Sequence, residues 1–424
     1  MITEYRTGIE NRANMLQVLL LILWVAWIAQ AVLSVLIVRR FARYLAVKQR
    51  AKFQNHQPRA TVIVPFKGAE LNLPGMVRCF CSQEYPQYRL FLVVESKCDP
   101  AYSILVEQLR HYPHCRVQVL VSGAARANQG QKLHNQLAAI DRIVGDSLDD
   151  DVWVFADSDV APGPHWLADL VGPLVDRRKT GATTGYRWLV PDGSGRGLFW
   201  SSIAGVLNSS AACFLGKARW TYAWGGSMAM RACTARRGDL RRRLEGALTD
   251  DYPVTQMCAA LGMRVYFRAR CLVATPVAMG LKDLANFAHR QCLITRVYEP
   301  RIYWVALGVT CLFLAGFTSA TVHTLYWLWR EPSGNRWWGS AGVCALVFVA
   351  HQVRASYRSL AVRRAFDEGT VRRLGVSRVL DRWLTPIWMT MHWAFLVRAG
   401  FGRTLRWRGI RYRLHGPQSI ERFE

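Results

Sequence analysis

From Met15 to Val38 the chain is almost uninterruptedly apolar, and Arg39, Arg40, Arg43, Lys48, Arg50 and Lys52 follow directly. A run of that length crosses ~30 Å of hydrocarbon as a helix, so everything downstream is tethered to a membrane. A secretory signal would be shorter and would carry its positive charge before the apolar core. Here the charge comes after, which predicts an uncleaved anchor with its C-terminal side in the cytosol. The composition fits the same picture. Lys and Arg number 55 against 29 Asp and Glu, a net charge of +26, while 51% of the 424 residues are hydrophobic. Such an excess suits polyanionic partners: nucleic acid, anionic headgroups or a phosphorylated substrate. Because the arginines flank apolar runs, a lipid bilayer accounts for them, and nucleic acid is not an expected partner. The eleven cysteines include no CxxC pair, only a lone CxC at Cys79 and Cys81, and Cys311 and Cys344 lie in membrane-like stretches. They read as structural thiols in a reducing compartment.

Between residues 54 and 275 the pattern changes. Ala60–Phe66, Leu90–Glu95, Val117–Val121 and Val152–Phe155 are short β-branched or aromatic runs. Helical apolar spacing appears between them, at Tyr102–Leu109 and Lys132–Ile143. Buried strands alternating with helices predict an α/β domain with a mostly parallel, Rossmann-like sheet. Ligands of such sheets sit beyond the carboxyl ends of the strands.

Residues 276–302 carry an apolar run broken by Lys282, Arg290 and Arg296, as an interfacial amphipathic helix would. Residues 303–424 read as a C-terminal membrane region of two to three spans with a basic tail. Tyr303–Leu328 is a spanning candidate; Ala341–Val353 is shorter, and can cross with Trp337 and Trp338 at the interface. Leu380–Val397 is weakened by Asp381 and Arg382, and the tail behind it (Arg398 to Arg413) is too basic to be placed outside. The last segment is therefore left open between span and re-entrant or interfacial helix. The arginine-rich loop Arg354–Arg378 belongs in the cytosol.

Acidic residues gather at the predicted strand ends. Glu95 closes the second strand, Asp99 follows in its turn, and Asp157 and Asp159 follow the fourth strand as Asp-Ser-Asp. A nucleotide sugar loses a diphosphate whose growing charge a divalent cation offsets, and hard carboxylate oxygens suit Mg²⁺ or Mn²⁺. An Asp-x-Asp pair alone is equally a solvated turn; its place straight after a buried strand favours a metal site at Asp157 and Asp159. Asp250 and Asp251 precede a helix through Ala260. Asp251 is the candidate general base for a hydroxyl acceptor and Asp250 its support, because a carboxylate beside a second one is pushed up in pKa. A helix N-cap at Thr249 or Asp250 is the competing assignment. Lys67 and Lys132 are cations at the same edge that can meet a diphosphate or simply be solvated. Gly225-Gly226 permits close backbone approach, or a tight turn. Leu198–Trp224 can cradle a lipid tail or form packed core.

Seven stretches stand in a recognisable order: Val62–Gly68 (VIVPFKG), Gln83–Tyr88 (QEYPQY), Asp99–Ala101 (DPA), Gly130–Leu137 (GQKLHNQL), Val154–Val160 (VFADSDV), Gly225–Met228 (GGSM) and Thr249–Tyr252 (TDDY). In these the chain resembles the ceramide glucosyltransferase-like family, family 21, a relative of the inverting GT-A family 2. The resemblance implies a cytosol-facing GT-A catalytic domain; the N-terminus-out anchor fits a bacterial inner membrane and a Golgi-type membrane alike. The resemblance further implies a UDP-sugar donor, glucose foremost, and a membrane lipid acceptor such as ceramide or a hopanoid. Asp99 then lies near the nucleotide, Asp157 and Asp159 hold metal, Asp251 is the base, and Lys132 belongs to the donor-side loop. The family carries (Gln or Arg)-x-x-Arg-Trp on the interfacial helix; here Arg290 keeps the first position, while Leu293 and Ile294 replace Arg-Trp. Arg296 is the candidate replacement cation. A processive polysaccharide synthase and a catalytically inactive lipid-binding homologue are the competing functions.

Overall fold

The computed structural model describes residues 2–48, 57–69, 72–192, 194–216 and 221–423, with side chains from residue 14 onward. Arg50 and Lys52 of the basic run, the boundary at 53–54, and residues 217–220 within Leu198–Trp224 lie outside the described residues.

Seven strands form the central sheet: β1 (Ala60–Pro65), β2 (Tyr88–Val94), β3 (Val117–Val121), β4 (Val152–Ala156), β5 (Thr180–Pro191), β6 (Ser227–Arg231) and β7 (Arg264–Val277). Their order is β3-β2-β1-β4-β6-β5-β7. β1 pairs in parallel with both β2 and β4, and β5 in parallel with β7, while β6 runs antiparallel between β4 and β5. The reason is legible in burial: β1 and β4 are buried along their whole length, as strands covered on both faces must be. One apolar layer joins Val62, Val64, Leu90, Leu92 and Val154 to the helices Leu73–Cys81 and Trp166–Asp176. The opposite layer joins Ile63, Phe91, Trp153 and Phe155 to the helices Gln131–Ile143 and Asp251–Ala260. With the sheet so clamped, the carboxyl ends of β1, β2 and β4 open on one edge.

Three long helices stand beside this domain: Ile2–Lys48, Pro300–Arg330 and Trp338–Ala365. Trp24 Nε1 donates to Ser319 Oγ and Gln30 Nε2 to the Val309 carbonyl, so the first two are antiparallel neighbours. Gly316 lets them approach, for a Cβ there would lie 2.5 Å from the Trp27 ring. Among the described residues, Asn14–Lys48 and Pro300–Arg330 are long and apolar enough to cross a membrane. Met15, Leu19, Ile22 and Val25 on the first, and Val305, Val309, Val322 and Leu325 on the second, face outward uncovered.

The C-terminal stretch departs from expectation. Leu380–Val397 is not one helix: the chain breaks between Gly375–Trp383 and Thr385–Gly400. Asp381 turns inward to Arg354 and Arg358, which fixes the first piece and leaves the second too short to cross unaided. The basic tail is ordered. It forms a second sheet, ordered β10-β9-β8, from β8 (Thr404–Trp407), β9 (Ile410–Gly416) and β10 (Ser419–Phe423).

Candidate active site at the carboxyl edge of the sheet

Four loops meet at the open edge. β4 ends into Asp157-Ser158-Asp159, and the helix Gln131–Ile143 aims Lys132 and Gln136 from beneath. Lys132 Nζ stands 2.7 Å from Asp157 Oδ1 and 3.0 Å from Asp250 Oδ1, and Gln136 Nε2 donates to Asp250 Oδ2 at 2.7 Å. Asp250 is fully buried, and its carboxylate makes no capping bond to the helix it precedes. Thr249 Oγ1 instead accepts a long bond, 3.4 Å, from the Asp251 N–H. Cap geometry thus does not account for the pair.

Gly225-Gly226 threads between the two acidic groups. A Cβ on Gly225 would lie 2.1 Å from Asp250 Oδ1, and one on Gly226 2.7 Å from Asp157 Oδ2. The Gly225 N–H donates to Asp251 Oδ1. A side chain on Gly225 would push Asp250 away, and one on Gly226 would strike the Trp224 ring, at 2.2 Å, as well as Asp157, so both positions require glycine.

Charge is unevenly distributed. Burial would drag Lys132 down, yet Asp157, Asp250 and Asp251 hold it above the ordinary lysine value. Asp157, also desolvated, is kept below the usual carboxylate range by that lysine. Asp251 receives less help. Burial first, and then the Asp250 carboxylate beside it, push it up to about 7. A buried carboxylate that changes protonation near neutrality is equipped to accept a proton.

Asp159 faces Arg187 of β5, whose Nη1 is 3.5 Å from Oδ2. The Arg187 guanidinium lies over both Trp224, at 5.7 Å, and Phe287, at 5.6 Å. Arg290 approaches the same Phe287 ring at 5.7 Å; burial, Arg187 and Arg408 push it down to about 10. Arg187 escaped the sequence reading, although a lone arginine inside the apolar run of β5 was a visible signal. Gln136 stood unnoticed inside GQKLHNQL.

Lys67, Glu95 and Asp99 line an adjoining cavity of about 330 Å³ together with Gly68, Ser96 and Arg408. Lys67 pairs with Glu95, and Asp99 accepts from the N–H groups of Gly68 at 3.0 Å and Ala101 at 2.9 Å. Asp99 is thus the cap of the helix Pro100–Leu109 and also ties the β1 and β2 loops together. Arg296 does not join the cluster. It donates to the carbonyls of Gly400 and Gly402, at the end of the helix Thr385–Gly400, and is spent there. Leu293 is fully buried, and Ile294 packs on the same apolar cluster between the long helices, so these two positions serve packing rather than charge.

Asp157 and Asp159 offer hard oxygen ligands. Among the described residues no group of three or more acidic, histidine or cysteine side chains forms a cage. That donor set fits an ion such as Mg²⁺, which takes one or two carboxylates and completes its shell with phosphate oxygens and water.

The family model described as Glycosyl transferase family 21 matches residues 19–420. Among solved structures, the mannosyltransferase PcManGT from Pyrobaculum calidifontis, in complex with GDP-Man and Mn²⁺, is similar at 15% identity and a TM-score of 0.44, over 90% of this chain and 97% of that one. Glucosyl-3-phosphoglycerate synthase from Mycobacterium tuberculosis, with Mn²⁺, UDP-glucose and glycerol 3-phosphate, is similar at 16% identity and a TM-score of 0.35, over 56% of this chain and 78% of that one. Likenesses this loose say nothing about substrate; the family match is the finding with weight.

Proposed function

Because the chain belongs to glycosyl transferase family 21, we propose that it transfers a hexose, glucose foremost, from a UDP-sugar to the hydroxyl of a membrane lipid, with inversion. The observation that carries this reading is the convergence of Asp157, Asp250 and Asp251 on Lys132 beneath the Gly225-Gly226 turn, with Asp251 raised to about 7.

In this reading Asp251 takes the proton of the acceptor hydroxyl as its oxygen attacks the anomeric carbon. The bond from that carbon to the diphosphate oxygen breaks on the opposite face, and the nucleoside diphosphate leaves with the electron pair. Asp250 keeps Asp251 basic by its charge and holds Lys132 in place, while Arg187 and Arg290 face the charge growing on the leaving group. Asp157 and Asp159 would hold a divalent cation, Mg²⁺ or Mn²⁺, which when bound neutralises diphosphate charge. Lys67, Glu95 and Asp99 line the space for the nucleoside.

A lipid acceptor is supported by continuity. The helix Leu281–Tyr298, which carries Arg290 at the cleft, runs almost directly into Pro300–Arg330 with its uncovered apolar face. Tyr252 Oη bonds Thr295 Oγ1 at 2.9 Å, and Tyr298 Oη accepts from the Leu248 N–H at 2.8 Å, so the Asp251 helix is fastened to that same element. The bundle crosses the bilayer as a multi-pass anchor with the cleft on the cytosolic side.

The test is to incubate the protein in lipid membranes with labelled UDP-sugars and identify the lipid product by mass spectrometry. Transfer should cease in excess EDTA and return with Mn²⁺ or Mg²⁺. Full turnover in EDTA would remove the metal from this reading, and no labelled lipid from any donor would remove the reaction.

A further inference from the structure

The C-terminal sheet is held against the cleft by contacts that a surface tail would not make. Leu405, Tyr412, Leu414 and Ile420 are buried in the same apolar cluster as Leu293 and Tyr298. The Gln131 N–H donates to Tyr412 Oη, and Arg422 reaches the Ala125 and Ala127 carbonyls, through its guanidinium at 3.2 Å and its N–H at 2.7 Å. On the other flank Gln418 Nε2 donates to the Arg242 carbonyl at 2.8 Å. The sheet therefore straddles the loops that present Lys132 and Asp250, and its β8–β9 turn sits over the cavity of Lys67, Glu95 and Asp99.

That turn has two central residues, Arg408 at φ +50° and Gly409 at φ +84°. Both are left-handed, as a two-residue hairpin needs, and the first position ordinarily takes Asn, Asp or Gly. An arginine there is strained, and strain of this kind persists where the side chain has work at its destination. The destination is the cavity wall. The positive charge of Arg408 is also felt at Arg290, whose own charge it opposes. The two cations come from separate parts of the chain, one from the tail and one from the interfacial helix, with Arg187 of β5 as a third.

We propose that Arg408 is a donor-binding residue: the tail hairpin closes the nucleotide end of the cleft, and its guanidinium binds the diphosphate of the donor together with Arg290 and Arg187. The inference rests on reading the cleft as a nucleoside diphosphate-sugar site, and it supplies from the tail a cation that Leu293 and Ile294 do not provide on the interfacial helix. Arginine suits the role because its planar fork pairs with two phosphate oxygens at once.

The test uses the full chain in detergent or nanodiscs, with UDP, GDP and uridine as probes in direct binding measurements. Arg408→Gly removes the guanidinium and relieves the left-handed turn, so its melting temperature should hold or rise. It should weaken UDP binding about ten- to a hundredfold, as loss of a charge-assisted contact does, and leave uridine binding unchanged. Arg408→Lys should recover part of the loss. Arg406→Ala, an exposed charge lost from the same hairpin, should bind UDP as the unaltered protein does. Equal UDP affinity in Arg408→Gly and the unaltered protein overturns the proposal alone. An equal loss in Arg406→Ala overturns it too, because bulk charge would then suffice. An unaltered protein that binds neither UDP nor GDP overturns the proposal and the reading of the cleft together.

Discussion

Two of the ionic clusters among the described residues are built with opposite imbalances. At the sheet edge a single lysine, Lys132, serves three carboxylates, those of Asp157, Asp250 and Asp251. Beside the long helices a single carboxylate, Asp381, is shared by two guanidiniums: Arg354 at 3.0 Å and Arg358 at 2.8 Å, with Thr385 also bonded to Arg354. Burial of charge is costly in both, and each is tolerated because its members are paired. The first keeps a deficit of cation, so Asp251 is left near neutrality and the group can accept a proton or draw in a metal and phosphate. The second has no carboxylate to spare and pins the helix Gly375–Trp383 to Trp338–Ala365. A cluster short of cation leaves a carboxylate able to take a proton; one short of anion, as at Asp381, ties two helices through a single shared carboxylate.

The harshest way to break this contrast is to neutralise Asp251, the proposed base. Asp251→Asn keeps the Gly225 contact and the shape but accepts no proton, and transfer should fall about 10²- to 10⁴-fold in kcat. The protein should melt normally, since the carboxylate it loses was disfavoured by burial. Steady-state rates and a thermal unfolding curve on the same preparation check both halves. Near-normal turnover would remove Asp251 from its role.

Next in size is the opposite cluster. Asp381→Ala strands two buried guanidiniums and should destabilise the protein by about 3–5 kcal/mol. Donor affinity measured on whatever stays folded should be unchanged. A stable Asp381→Ala protein that has lost only activity would erase the distinction between the clusters. Smaller again is Gly225→Ala. Its methyl group would collide with Asp250, and the displaced pair should lower kcat about tenfold or more, through misplacement, while overpacking the buried site costs about 1–3 kcal/mol of stability.

What the sequence disclosed, and what it hid, follows from the same physics. Strands β1, β2 and β4, and the acidic residues after β2 and β4, were visible because strands covered on both faces are continuous apolar runs; β3, at the sheet edge and half-buried, showed through its valines. The strand β7 was hidden because Arg268 and Arg270 interrupt its apolar run; both are paired with Asp169 across the fold. The tail sheet was hidden by its charge, although Ile410-Arg411-Tyr412-Arg413-Leu414-His415 alternates as a one-sided strand does. Membrane logic assigned those arginines to headgroups. For Arg187 and Arg408 no spacing rule could help, because the groups around them come from the β4 loop, the helix Leu281–Tyr298 and the β2 loop. Arg296 misled for the reverse reason: proximity in sequence to Arg290 said nothing of the carbonyls that claim it.

The finest test of the imbalance is the pH dependence of kcat/KM. As the proposed base Asp251 works unprotonated, and with its value at about 7 it holds its proton below that pH. Transfer should therefore rise about tenfold per unit through mildly acidic pH and level off above neutrality. The Asp250 charge is the main cause of this elevation after burial, so Asp250→Asn should move the rising limb to lower pH. The expected outcome is a partly crippled enzyme, since Lys132 loses an anionic partner, that is nonetheless relatively more active in acid. A purely structural role for Asp250 would lower the whole curve and leave the limb where it was. A limb that moved upward instead would mean that Lys132, not Asp250, sets the charge felt by Asp251.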